Sequence, residues 1–173
     1  MARALAWRTA LLSTMTAFAL TMQASAQTID QDIPWQNFQD WTVFQSRVYK
    51  GCVATASYQN GTTVRLGYDG IIKSYFVNFS NRRWSNYPFM KVFELEFSLD
   101  GSRNFKGFFH VIERDGMPTF ETGEIKIAFL DALAAANGFR IREDGTQLVA
   151  LSLSGSRRAL NSMVECERAR NSR

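Results

Sequence analysis

His110 is the only histidine in 173 residues, and it stands between Phe108 and Ile112 in a run that alternates like a strand. An imidazole so placed can act as a general base or simply pack against a sheet. A nucleophile for it to activate would need a framing motif, and neither G-x-S-x-G nor any similar frame occurs. Glu94 and Glu96 put two carboxylates on one strand face, with Cα atoms about 6.7 Å apart from the strand rise. Paired carboxylates hydrolyse glycosides. Their neighbours also give them a plainer role, because Phe93, Leu95 and Phe97 alternate with Glu94, Glu96 and Ser98 and leave the carboxylates on the water side. Two cysteines and one histidine, without a cluster at zinc spacing, exclude a zinc site. The chain therefore reads as a non-enzyme without metal or cofactor.

Binding chemistry is better represented. The segment from Ser80 to Phe89 carries Arg82, Arg83, Trp84 and Tyr87, and planar guanidinium groups beside aromatic rings hold sugars, phosphates or carboxylates. These four are the candidate binding residues, for a glycan or an envelope protein, although Trp84 and Phe89 equally suit core anchors at strand ends. Trp35, Phe38 and Trp41 mark an early segment expected to tuck against the sheet.

The elements that must position these groups begin after a leader. Arg3 and Arg8 precede an uncharged, largely apolar stretch from Thr9 to Met22, and Ala24-Ser25-Ala26 has the small-x-small form of a signal-peptidase site. The uncharged run is shorter than the roughly 18 residues a spanning helix needs. Residues 1–26 thus read as a signal peptide, cleaved after Ala26, and 27–173 as one globular domain in the periplasm or outside the cell. Removing the leader leaves 18 basic against 16 acidic residues. Five of the 18 are Arg157, Arg158, Arg168, Arg170 and Arg173, so the body before them is close to neutral and nucleic acid is not an expected partner. Arg157, Arg158, Arg168 and Arg170 suit a solvated helix face or a peripheral contact with anionic lipid. Cys52 and Cys166 in an exported chain are expected to pair.

Eight strands are predicted: Trp41 to Tyr49, Cys52 to Tyr58, Thr62 to Tyr68, Ile71 to Phe79, Met90 to Ser98, Asn104 to Arg114, Phe139 to Arg142 and Gln147 to Leu153. Asn60-Gly61, Asp69-Gly70, Asp100-Gly101 and Asp144-Gly145 supply turns, and Asp115-Gly116 with Pro118 ends the sixth strand. Ile125, Phe129 and Leu133 then recur at helical spacing, with Gly138 at the position of a C-cap. A last helix, capped by Ser154 or Ser156, carries Ala159, Leu160, Met163, Val164 and Cys166 on one side. The expected class is α+β, a curved antiparallel sheet or β-sandwich of about 7–8 strands with two helices in the C-terminal half.

Phe38-Gln39-Asp40-Trp41-Thr42-Val43 followed by Gly51-Cys52-Val53, and the closing run Leu151-Ser152-Leu153-Ser154-Gly155-Ser156-Arg157-Arg158-Ala159-Leu160, resemble the two ends of the invasion-associated locus B family of small exported bacterial proteins. The likeness covers about half of the mature chain. Phe44 and Gln45 stand where that family usually has a cysteine, and its middle cysteine pair is missing, which leaves Cys52 to pair with Cys166. The resemblance implies an exported envelope protein, linked in some bacteria to entry into host cells, and supplies no catalytic residues. The expected function is a monomeric, non-enzymatic binding protein of the periplasm or envelope. The runner-up is a carrier of a small hydrophobe or lipid, followed by a glycan hydrolase.

Overall fold

The computed structural model describes residues 32–101 and 103–172, with Arg103 described by its backbone; residues 1–26, expected to be a signal peptide, lie outside the described residues. The elements run β1 (Ile33–Phe38), β2 (Trp41–Ser46), β3 (Gly51–Ser57), β4 (Thr63–Asp69), β5 (Ser74–Ser80), a 3-10 turn at Arg82–Trp84, β6 (Val92–Leu99), β7 (Arg103–Arg114), β8 (Met117–Thr122), α1 (Ile127–Ala135), β9 (Gly138–Glu143), β10 (Thr146–Ser152) and α2 (Ser156–Asn171). Ten strands form one sheet in the order β1-β2-β3-β4-β5-β8-β7-β6-β9-β10, and every pair is antiparallel. The fold is α+β with both helices in the C-terminal half, as expected, but it has ten strands rather than 7–8.

Two strands account for the difference. β1 is the early aromatic segment, which joins the sheet edge beside β2 instead of merely lying against it. β8 follows Asp115-Gly116, where both residues have positive φ, 52° and 70°. That geometry suits a two-residue hairpin and returns the chain along β7. Pro118 concealed this strand, since proline gives no ladder donor. It is accommodated because β5 reaches only as far as the Ser80–Thr119 pair, and Asn81 donates its N–H to the Pro118 carbonyl beyond it.

Asp100-Gly101 and Asp144-Gly145 have the same positive-φ pairs and close the β6–β7 and β9–β10 hairpins. Three terminal assignments are corrected. Gly138 opens β9, and the C-cap of α1 is Ala136, whose N–H bonds back to the Leu133 carbonyl. Gly155, in the left-handed region at φ 84°, occupies the N-cap of α2, and neither Ser154 nor Ser156 caps it. Ile71 is exposed in the β4–β5 turn, where the Asp69 carboxylate accepts from the N–H groups of Ile71 and Ile72 and holds the chain out of the ladder.

The sheet is curled. β5 and β9 are four steps apart in the strand order, about 19 Å in a flat sheet, yet the rings of Phe79 and Phe139 stack at 5.4 Å. Phe97 and Phe109 complete this inner cluster. The helices close the open side: Phe129, Leu130 and Leu133 of α1 and Ala159, Leu160 and Met163 of α2 are buried in the same core. A bond between Cys52 of β3 and Cys166 of α2 fixes the last helix to the sheet, with Cα atoms 6.1 Å apart. The Cys52 N–H donates to Glu167 at 2.8 Å, and the Trp41 indole N–H donates to the Ser154 carbonyl at 3.1 Å. Both outer edges carry an irregularity that discourages further pairing: β1 bulges at Trp35 beside Pro34, and β10 bulges at Leu148.

Candidate functional site

β8 is short, and its shortness makes a groove. It pairs with β7 only from His110 to Arg114, while β7 continues back to Arg103. After Thr122 the chain stays beside β5, with the Ile125 N–H donating to the Tyr75 carbonyl at 3.0 Å, and then enters α1. β7 and the 122–129 segment therefore part. The cleft between them has a volume of about 520 Å³ and is lined mainly by apolar groups, with Phe97, Phe105 and Phe129 among them. Phe105 meets Phe129 edge-on at 5.2 Å. Gly107 adds no side chain to this wall; a Cβ there would lie 3.1 Å from Phe109 Cε2. Lys106, Glu124 and Lys126 supply charge at the lining, and Lys106 is held by Glu94 across the strand at 2.7 Å. The size and apolar lining are those of a ligand site.

The outer surface beside this groove displays three apolar side chains among the charged ones. Phe108 and Val92 lie diagonally across the β6–β7 ladder and are 66% and 50% exposed, and Met90 just before β6 is 66% exposed. Met90 has φ 61°; its N–H donates to the Val111 carbonyl while the Val111 N–H donates to Lys91. That is a bulge of the kind that normally places glycine in the left-handed position. A methionine held there, exposed and strained, is the sort of local exception that functional surfaces carry.

The four residues expected to form the binding site separate. Trp84 is 5% exposed and meets Phe120 edge-on at 5.2 Å. Tyr87 packs edge-on against Phe93 and Phe120 and donates its hydroxyl hydrogen to Glu143. Burial first, and Glu143 second, raise the Tyr87 hydroxyl well above the usual tyrosine range. Trp84 and Tyr87 are thus anchors that close the β5–β6 connection over the core, because large rings gain more from burial than from display. Trp84 is corrected from ligand contact to core residue. Arg82 and Arg83 remain exposed.

Among the other candidates, His110 is exposed on β7 opposite Glu121. Glu94 and Glu96 both face outward, Glu94 engaged by Lys106. The C-terminal arginines are partly engaged within the chain. Arg157 donates to the Ala134 carbonyl, the Arg158 guanidinium lies over the Phe38 ring at 6.0 Å, and Arg170 pairs with Glu167, while Arg168 is exposed.

A buried polar cluster went unread in the sequence. Asn78 donates to the Tyr49 hydroxyl at 2.8 Å and to Glu121 at 2.9 Å, and Arg114 donates to the same Glu121 oxygen at 2.6 Å. The Arg114 guanidinium covers the Tyr49 ring at 5.0 Å. Burial and the Glu121 charge raise the Tyr49 hydroxyl, so it keeps its proton in alkaline solution where an exposed tyrosine would lose it. These side chains pair with one another and pin the β2–β3 turn over the outer face of the sheet. Their strand alternation was visible, but their mutual contact depends on β5, β8 and β7 lying side by side.

No helix among the described residues is long and apolar enough to cross a membrane, and no cluster of His, Cys, Asp or Glu among them has the grouping to hold a metal ion. No family model matches the chain, and no curated protein matches it. Among solved structures it is similar to the crystal structure of invasion associated protein B from Bartonella henselae, over 77% of this chain and 97% of that one, at 11% sequence identity and a TM-score of 0.58. At that identity the likeness is one of fold: the chain shares the architecture of an invasion associated protein B.

Proposed function

We propose that this chain is an exported, envelope-associated binding protein without catalytic activity, and that the β7–α1 groove is where it binds. The observation that carries the reading is the groove itself, an apolar cleft of about 520 Å³ left open where β7 and β8 part. Export is supported by the leader-like pattern of residues 1–26 and by a bond between the chain's two cysteines, which an oxidising compartment permits. The fold shared with invasion associated protein B supports an envelope or host-interaction role. The same cleft favours a second reading, a carrier for a small hydrophobe, since apolar walls of this extent accept either kind of occupant. Arg82 and Arg83, exposed on the β5–β6 connection and outside the groove's lining, are left as a separate basic surface for a glycan or protein partner.

Titration with the fluorescent hydrophobe N-phenyl-1-naphthylamine tests the site. Ala128 is exposed and lines the groove, so Ala128→Trp fills the cleft from the helix without disturbing the core. Saturable binding by the parent and at least a tenfold loss in Ala128→Trp are expected. Equal binding by both proteins, or none by the parent, refutes the assignment.

A further inference from the structure

We infer that the occupant of the groove is an extended peptide, added as a strand to the free edge of β7 between Asn104 and Phe108, with alternate side chains against Phe97, Phe105 and Phe129. The inference rests on the reading of this groove as the binding site and names what fills it. The backbone supplies the argument. Val111 turns both its N–H and its C=O toward the β6 side, donating to Lys91 and accepting from Met90. Backbone groups alternate in direction along a strand, so those of Lys106, Phe108 and His110 turn the other way. β8 meets His110 through Glu121. It goes no further, because the chain after Thr122 bonds to β5 through Ile125 and Tyr75.

The N–H and C=O groups of Lys106 and Phe108 thus have no ladder partner among the described residues, and both residues line the groove. A row of unpaired backbone groups beside an apolar cleft is what strand addition satisfies: the ladder gives affinity and the pocket selects alternate side chains. A compact hydrophobe would meet the apolar wall and leave these groups unpaired. The contrast with the outer edges supports the choice. β1 and β10 carry bulges, and β1 a proline, along the edges open to another chain. The stretch of β7 from Asn104 to Phe108 runs in unbroken register with β6 and has neither device.

The test uses a synthetic hexapeptide of alternating valine and threonine, and the same peptide N-methylated at every residue so that neither backbone edge keeps its donors. We expect the plain peptide to compete with naphthylamine, to slow amide hydrogen exchange at Lys106 and Phe108 at least tenfold, and to bind at least tenfold more tightly than the N-methylated form. Equal binding of the two peptides, or unchanged exchange at those amides, overturns strand addition. If naphthylamine binds and neither peptide does, the groove stands as a binding site and the peptide assignment fails. If neither probe binds, the reading of the groove itself fails.

Discussion

Reducing the Cys52–Cys166 bond should remove a large part of the stability of this fold. The bond joins residues 114 apart in sequence, and the chain-entropy relation gives a denatured-state restriction of about 16 cal/mol/K, or about 5 kcal/mol at room temperature. Domains of this size are stable by about 5–15 kcal/mol in total. Packing holds α2 independently, through the buried side chains of Ala159, Leu160 and Met163, the hydrogen bond between Ser162 and Gln36, and the Cys52 N–H on Glu167. The native contacts should therefore survive reduction while the unfolded chain expands. We expect urea unfolding followed by tryptophan fluorescence to show a loss of about 3–5 kcal/mol in the reduced protein, with a steeper denaturant dependence as the unfolded state exposes more surface. For a domain of this length that lowers the melting temperature by more than about 10 °C. A loss under about 1 kcal/mol would refute the reasoning, because it would mean that the crosslink restricts neither state appreciably. Melting of α2 alone, seen by hydrogen exchange while the sheet stays protected, would also refute it, since the bond would then hold only the helix locally.

Two further outcomes follow from the placement of the aromatic and basic side chains. Trp84→Ala should cost about 3–5 kcal/mol by opening a cavity against Phe120, whereas replacing Arg82 and Arg83 together with alanine should change stability by less than about 1 kcal/mol; urea unfolding of the two variants separates core anchor from exposed surface. The protein should also lose stability with rising alkalinity. Burial pushes the Tyr58 hydroxyl up to about 12, and Tyr49 and Tyr87 are raised as well. Unfolded tyrosines release their protons near pH 10 while the folded ones retain them, so the unfolded state binds fewer protons and stability falls from about pH 10 toward 12. Melting temperatures across that range, with phenolate absorbance as the second probe, should show unfolding and ionisation together, and Tyr58→Phe should lessen the slope.

The sequence by itself determined what depends on neighbours in the chain. Asp100-Gly101 and Asp144-Gly145 specify hairpins because both positions tolerate positive φ, and alternation such as Phe93-Glu94-Leu95-Glu96-Phe97 sorts a strand into a wet and a dry face. The four-residue recurrence of Phe129 and Leu133 gave α1, and two cysteines in a chain read as exported gave the crosslink. β8 was hidden because Pro118 is unfavourable in a strand in general, and its acceptability is settled by where β5 happens to end. Trp84 was ambiguous for a similar reason: an aromatic ring beside two arginines has the same local composition as a ligand clamp and as a lid on a core, and only Phe120, arriving from β8, decides which. The groove lies furthest from sequence. It is the gap left when a long β7 meets a short β8 whose continuation follows β5, a difference in pairing length among three strands brought together from distant parts of the chain, and pairing between strands is a property of the folded sheet that no local pattern encodes.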